Sequence, residues 1–172
     1  MKSTLYIVVF CFCFSFAKSQ NKNLKTYKFG AYKLNYPKAW KIQKNPFGFQ
    51  LLPKEKELIK KRAAFVYIIN SKIKKFIGKT DIVSYLKQYA ETPDHHIKSK
   101  SFRITEIKDN AKYQYKITSE IVFVLSDEIS TRVEYFNFSG EFVSSIMYQA
   151  RKDIFEKYKN DAMLIINSIQ QR

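Results

Sequence analysis

Ala63-Ala64-Phe65-Val66-Tyr67-Ile68-Ile69 is apolar at almost every position, and this stretch decides how the chain is built. A strand with one wet face alternates apolar and polar side chains, so an unbroken apolar run implies cover on both faces. The flanks are charged. Lys54 to Lys61 and Lys72 to Lys79 read as solvated basic connections before and after the strand. Upstream, Phe47 to Leu52 makes a short strand that Pro53 ends.

Further upstream, Leu24 to Phe29 leads into Gly30-Ala31, after which Tyr32, Leu34 and Tyr36 alternate with Lys33 and Asn35. Residues 24–36 are therefore predicted as a hairpin, closed by Pro37 and turned by Lys38-Ala39-Trp40. Downstream, Asp81 to Glu91 carries Ile82, Val83, Leu86, Tyr89 and Ala90 on one helical face, with Asp81 as the expected N-cap and Thr92-Pro93-Asp94 as the stop. Three long strands follow, about Phe102 to Lys108, Lys112 to Leu125 and Ile129 to Phe138. Turns at Ser126-Asp127 and Ser139-Gly140 make this an antiparallel meander, completed by a strand from Phe142 to Ala150. The chain ends in a helix from Asp153 to about Ile169, with Ile154, Phe155, Tyr158, Ala162, Ile165, Ile166 and Ile169 on its apolar stripe. With a central strand covered twice, this order predicts an α+β fold: a three-layer α/β/α sandwich around a mainly antiparallel sheet.

The phrase Phe29-Gly30-Ala31-Tyr32-Lys33-Leu34-Asn35-Tyr36-Pro37-Lys38-Ala39-Trp40 is an aromatic-rich strand ending in Tyr-Pro-x-x-Trp. Tyr148-Gln149-Ala150 leads through Tyr158 to Ile165, Ile166 and Ile169 near the C-terminus. Together with the element order, these phrases resemble the PsbP-like α/β/α sandwich superfamily, which takes in the extrinsic PsbP subunit of photosystem II and related exported bacterial proteins. The resemblance implies a binding or assembly role. The superfamily shares no catalytic residues, and no pattern here carries over the metal dependence or partner binding of particular members. Trp40, the only tryptophan, needs no ligand to explain it: its large apolar surface suits one end of a core.

The N-terminus follows the grammar of a secretory signal peptide. Lys2 supplies the positive region, Leu5 to Phe16 an apolar run too short for a stable membrane anchor, and Ala17-Lys18-Ser19 the small residues of a cleavage site. Residues 1–19 are thus expected to be removed after about Ser19, with 20–23 a disordered leader and 24–172 a single domain. The mature protein would be periplasmic or secreted. Both cysteines, Cys11 and Cys13, lie in the removed run, which excludes disulfides and Cys-based chemistry from the mature chain. Phe14 and Phe16 continue the apolar run past Cys13, which argues against lipid attachment there.

Losing Lys2 and Lys18 takes the formal charge from +16 to +14. Such an excess suits an anionic surface, either phospholipid headgroups or acidic glycan. Yet lysines outnumber arginines 26 to 5, and abundant Ile, Asn, Phe and Tyr share AT-rich codons with lysine. Arginine is the usual choice for bidentate phosphate recognition, so nucleic acid is not the expected partner. The candidate anion-binding residues are Lys54, Lys56, Lys60, Lys61, Arg62, Lys72, Lys74 and Lys75, in two connections at opposite ends of the central strand.

Catalytic signals are weak. His95 and His96 are adjacent on a loop beside Asp94, where neighbouring side chains diverge. There is no Gly-x-Ser-x-Gly elbow and no phosphate-cradling glycine loop. Glu120 and Glu134 lie on neighbouring strands, and pairing across Ser126-Asp127 would set residue 120 opposite 133 or 134, the one arrangement that suggests a carboxylate-pair hydrolase. Lys116 and Arg132 on the same strands offer simple ion pairing instead. The sequence thus points to a non-enzymatic, monomeric, exported domain with no cofactor or metal. Its expected partner is an envelope protein or an anionic surface, and no transmembrane segment is expected in the mature chain.

Overall fold

The computed structural model describes residues 23–30, 32–45, 48–61, 63–72, 79–92, 96–110 and 112–171. The proposed signal peptide and most of the proposed leader lie outside the described residues.

Strands β1 (Leu24–Phe29) and β2 (Tyr32–Pro37) form the predicted hairpin, joined by the short β10 (Gln170–Gln171) on the other side of β2. Gly30 stands at the turn with φ +52°, a left-handed conformation that a residue with a Cβ adopts only under strain. Seven more strands make the main sheet: β3 (Trp40–Asn45), β4 (Gly48–Pro53), β5 (Ala64–Lys72), β6 (Ile97–Glu106), β7 (Tyr115–Phe123), β8 (Ser126–Ser139) and β9 (Phe142–Arg151). Their order is β3-β4-β5-β9-β8-β7-β6, with every neighbouring pair antiparallel.

Three helices complete the described chain: α1 (Lys56–Lys61), α2 (Lys79–Glu91) and α3 (Phe155–Ser168). On one face of the main sheet, Ala64, Val66, Ile146 and Tyr148 pack with Phe155, Tyr158, Ala162, Ile165 and Ile166 of α3 and with Leu34 of β2. On the other face, Leu86 and Ala90 of α2 pack with Tyr115, Ile117, Phe136 and Val143. The architecture is the predicted α/β/α sandwich, and the stripe residues of both helices face the two cores, with Ile82, Val83, Tyr89 and Ile154 only partly buried.

Trp40 fixes one end of the first core. It is buried, its indole Nε1 donates to Asp161 Oδ2 at 2.9 Å, and its ring meets Tyr158 edge-on at 6.2 Å. The bond satisfies the one polar atom of the indole and ties β3 to the middle of α3.

Several details differ from expectation for physical reasons. Trp40 opens a strand instead of closing a turn, because its burial draws residues 40–45 into the sheet edge. Lys56–Lys61 is helical; Leu58 packs on the core, and one turn of helix brings it there. The second helix starts at Lys79, which puts Asp81 in its first turn and not at the cap. Asp153 does not cap α3 either: Ile154 holds that position without a side-chain bond, and Asp153 pairs with Arg151 at 2.6 Å. The strand covered on both faces is chiefly β9, at the centre of the sheet, where every residue from Ser145 to Ala150 is buried. In β5, Ala64, Val66 and Ile68 are buried under α3, while Phe65, Tyr67 and Ile69 on the other face are half-buried.

Replacing Trp40 should separate packing from polar satisfaction. Trp40→Ala is expected to cost about 3–5 kcal/mol of folding free energy. Trp40→Phe keeps most of the apolar surface but strips Asp161 of its donor, and should cost about 1–3 kcal/mol. Urea midpoints for the two variants would check the ranking.

Candidate functional site

Among the described residues six polar side chains are buried: Gln50, Ser119, Ser130, Glu134, Ser145 and Gln149. The strand registers put all six on the face that carries α2. Two of them bond to less buried neighbours. Gln50 Nε2 donates to Gln43 Oε1 at 3.2 Å, and Arg132 Nε donates to Gln149 Oε1 at 2.9 Å.

Glu134 is the most consequential of them. It is 1% exposed, and Tyr89 of α2 donates its hydroxyl to both carboxylate oxygens, at 3.0 and 3.1 Å. Burial pushes the Glu134 carboxyl above the usual carboxylate range, while a hydrogen bond from Ser145 and the nearby Arg132 charge pull it partly back. Burial, with the Glu134 charge, likewise pushes the Tyr89 hydroxyl far up, so tyrosine is the donor in this pair. Tyr85 stacks on Tyr89 at 6.4 Å, and Phe136 meets it edge-on at 5.5 Å. The carboxylate therefore tethers α2 to the sheet.

The carboxylate pair suggested by sequence does not form. Glu120 lies opposite Thr131, whereas Glu134 lies opposite Ile117. The β7–β8 turn falls at Val124-Leu125, and a bulge follows Val122, so the pairing is offset from expectation by an odd number of residues for Glu134. An odd offset moves a side chain to the other face of a sheet. Glu120 is exposed on the α3 side and pairs with Lys152 at 2.7 Å. The two carboxylates cannot act on one substrate bond, and the hydrolase idea falls with them.

The candidate anion-binding residues divide between the ends of β5. Lys54 and Lys56 are exposed at the start of α1, Lys60 and Lys61 lie within it, and Lys72 closes β5. Arg62, Lys74 and Lys75 lie outside the described residues. Eight strand steps separate Ala64 from Lys72, roughly 25 Å. Glu55, between Lys54 and Lys56, is engaged by the Lys157 ammonium at 3.1 Å and by the Tyr158 hydroxyl. Its carboxyl is held below the usual range, chiefly by that hydroxyl. His95 lies outside the described residues. His96 is exposed, and its carbonyl accepts from the Val124 amide at 2.9 Å. Among the described residues, no three His, Cys, Asp or Glu side chains come together as a metal site.

An apolar concavity lies elsewhere. A cavity of about 310 Å³ opens beside the C-terminal end of α3, lined by Tyr32, Ile68, Lys112, Tyr113, Ile146 and Ile169 with Asn137 and Ser144. Lys112 Nζ donates to the carbonyls of Ile166 and Asn167 at 3.1 and 3.0 Å, and the Tyr113 hydroxyl donates to Ile166 O at 3.0 Å. These bonds satisfy carbonyls that the end of a helix leaves without partners.

Solved structures share this arrangement of sheet and helices. The solution structure of the cyanobacterial PsbP protein CyanoP, from Synechocystis sp. PCC 6803, superposes with a TM-score of 0.54 at 14% identity, covering 87% of this chain and 93% of that one. The fold is PsbP-like. The crystal structure of LpqN, involved in cell envelope biogenesis of Mycobacterium tuberculosis, matches with a TM-score of 0.56 at 10% identity, covering 88% of this chain and 92% of that one. No family model and no curated protein matches the sequence.

Neither the Tyr89–Glu134 contact nor the Lys112 cavity of this PsbP-like fold is legible in local sequence pattern. Both join residues from separate elements. Tyr89 stands 45 positions from Glu134, and Lys112 stands 54 and 55 from the carbonyls it meets.

The raised Glu134 carboxyl has a calculable sign. A proton held more tightly in the folded than in the unfolded state stabilises the fold at low pH, and that contribution is lost as pH climbs from the unfolded value near 4.5 through the raised folded one. Glu134→Gln removes the titration. Thermal melts should show the variant gaining on the wild type as pH rises from 4 to 8, with the smallest difference at pH 4. A constant difference across that range would contradict the buried-carboxylate account.

Proposed function

We propose that this chain is an exported, non-catalytic domain that binds a protein partner at the bacterial cell envelope as an assembly accessory. The observation that carries this is the superposition over 88% of the chain on a protein involved in cell envelope biogenesis, joined to an N-terminal segment of secretory type. The internal chemistry supports it. Glu134, the deeply buried acid, is occupied in holding α2 to the sheet, and its former candidate partner Glu120 is a surface ion-pair member. Among the described residues no helix is long and apolar enough to cross a membrane.

The first test is on the chain itself. Cells expressing the full sequence should release a protein whose first residue is Gln20, read by N-terminal sequencing of the exported fraction; an intact Met1 on protein retained in the cytoplasm would contradict the reading. The second is on the partner. The mature domain, immobilised and challenged with envelope extract, should retain one protein saturably at several salt concentrations. Recovery of none across that range would count against an accessory role.

A second reading has its own observation. Lys54 and Lys56 are exposed at the start of α1, on a mature chain with a formal charge of +14. A peripheral site for phospholipid headgroups or acidic glycan built there would lose affinity steeply with salt. Replacing Lys54, Lys56, Lys60 and Lys61 by Gln should then abolish liposome binding, and unchanged binding would remove this reading.

A further inference from the structure

Lys112 is a cation in an unusual position. It is half-buried at the edge of the 310 Å³ cavity, and desolvation draws its ammonium below the usual lysine range. Among the described residues no carboxylate pairs with it; its hydrogen-bond partners are the two neutral carbonyls of Ile166 and Asn167. An ammonium carries three donors, so one remains for a further acceptor. A charge withdrawn from water without a counter-charge is costly, and an anion brought to it recovers part of that cost.

The rest of the cavity is of the opposite character. Ile68, Ile146 and Ile169 supply aliphatic wall, and Tyr32 and Tyr113 supply aromatic wall. Asn137 and Ser144, a cross-strand pair on β8 and β9, are polar exceptions. An apolar hollow with a few polar groups is the general form of a small-ligand site, and this one sits at the small end of the usual range. At about 30 Å³ per water-sized group it admits about ten such groups at most.

We propose that this cavity binds a medium-chain carboxylate, its tail between Ile68, Ile146 and Ile169 and its head on the Lys112 ammonium. The cation excludes a purely apolar occupant as the best fit, because such a ligand would bury Lys112 further with nothing to offset it. The volume excludes a long acyl chain held whole. This site is distinct from the lysines of α1 and independent of any protein partner.

Octanoate and 1-octanol, titrated calorimetrically into the mature domain, separate the contributions of head and tail. Octanoate is expected to bind one to one, at least about tenfold more tightly than octanol, as a charge-assisted bond requires. Lys112→Gln should erase that preference, weakening octanoate by at least about tenfold more than octanol. Because Lys112 also caps α3, a second variant is needed that spares the cap: Ser144→Phe, which fills the cavity, should abolish binding of both ligands while Lys112 remains. Equal affinity for the two ligands in the wild type, or octanoate binding that survives Ser144→Phe, would overturn the proposal. Neither result bears on recovery of a protein partner, so the two ideas fail separately.

Discussion

The seating of α3 over β5 and β9 is the contact on which the rest of the molecule depends. Five of its residues are buried against Ala64, Val66, Ile146 and Tyr148, and each fully buried large side chain contributes about 1.5–3 kcal/mol. Polar bonds then fix its position along the sheet. Asp161 accepts from Trp40, Tyr148 donates its hydroxyl to Phe155 O at 2.7 Å, and Lys112 and Tyr113 hold the last carbonyls. The β1–β2 hairpin reaches the core through the same helix, since Ser168 both receives the Asn35 amide and donates to the Asn35 carbonyl.

The two faces of the sheet solve burial differently. Under α3 the buried side chains of the large sheet are apolar, apart from tyrosine hydroxyls that reach backbone carbonyls. Under α2 lie the six buried polar residues, among them Gln50 bonded to Gln43, Gln149 to Arg132, and Glu134 to Tyr89 and Ser145. A buried carboxylate is tolerated there because Tyr89 and Ser145 both donate to it. The polar groups differ likewise: Glu134 and Gln149 on the α2 face are bonded internally, whereas the Lys112 ammonium on the α3 side lies at the edge of a cavity.

Local pattern made much of this legible. Helical spacing selected the buried stripes of α2 and α3, alternation fixed which side of β7 faces inward, and the aromatic phrase around Trp40 identified a core anchor. Register was harder to read. Ser126-Asp127 is a better turn by composition than Val124-Leu125, yet the chain turns at the apolar pair, leaving Leu125 almost fully exposed. That offset alone separates Glu120 from Glu134. The central strand was also misplaced, because β9 carries Ser144, Ser145 and Gln149 and reads as half-wet, while β5 reads as fully apolar. Polar residues buried beneath α2 disguise the true centre. Lys112 carried no local signal at all, since its meaning comes from carbonyls more than fifty residues away.

If α3 holds the sandwich together, it cannot detach without the sheet unfolding. Native-state hydrogen exchange in low denaturant tests this directly. Amides of Tyr158 to Ile166 should exchange with the same opening free energy and the same denaturant dependence as those of Ser145 to Tyr148 in β9. Exchange of the α3 amides through a lower-energy opening, with β9 still protected, would show that the sheet stands without the helix and would contradict the account.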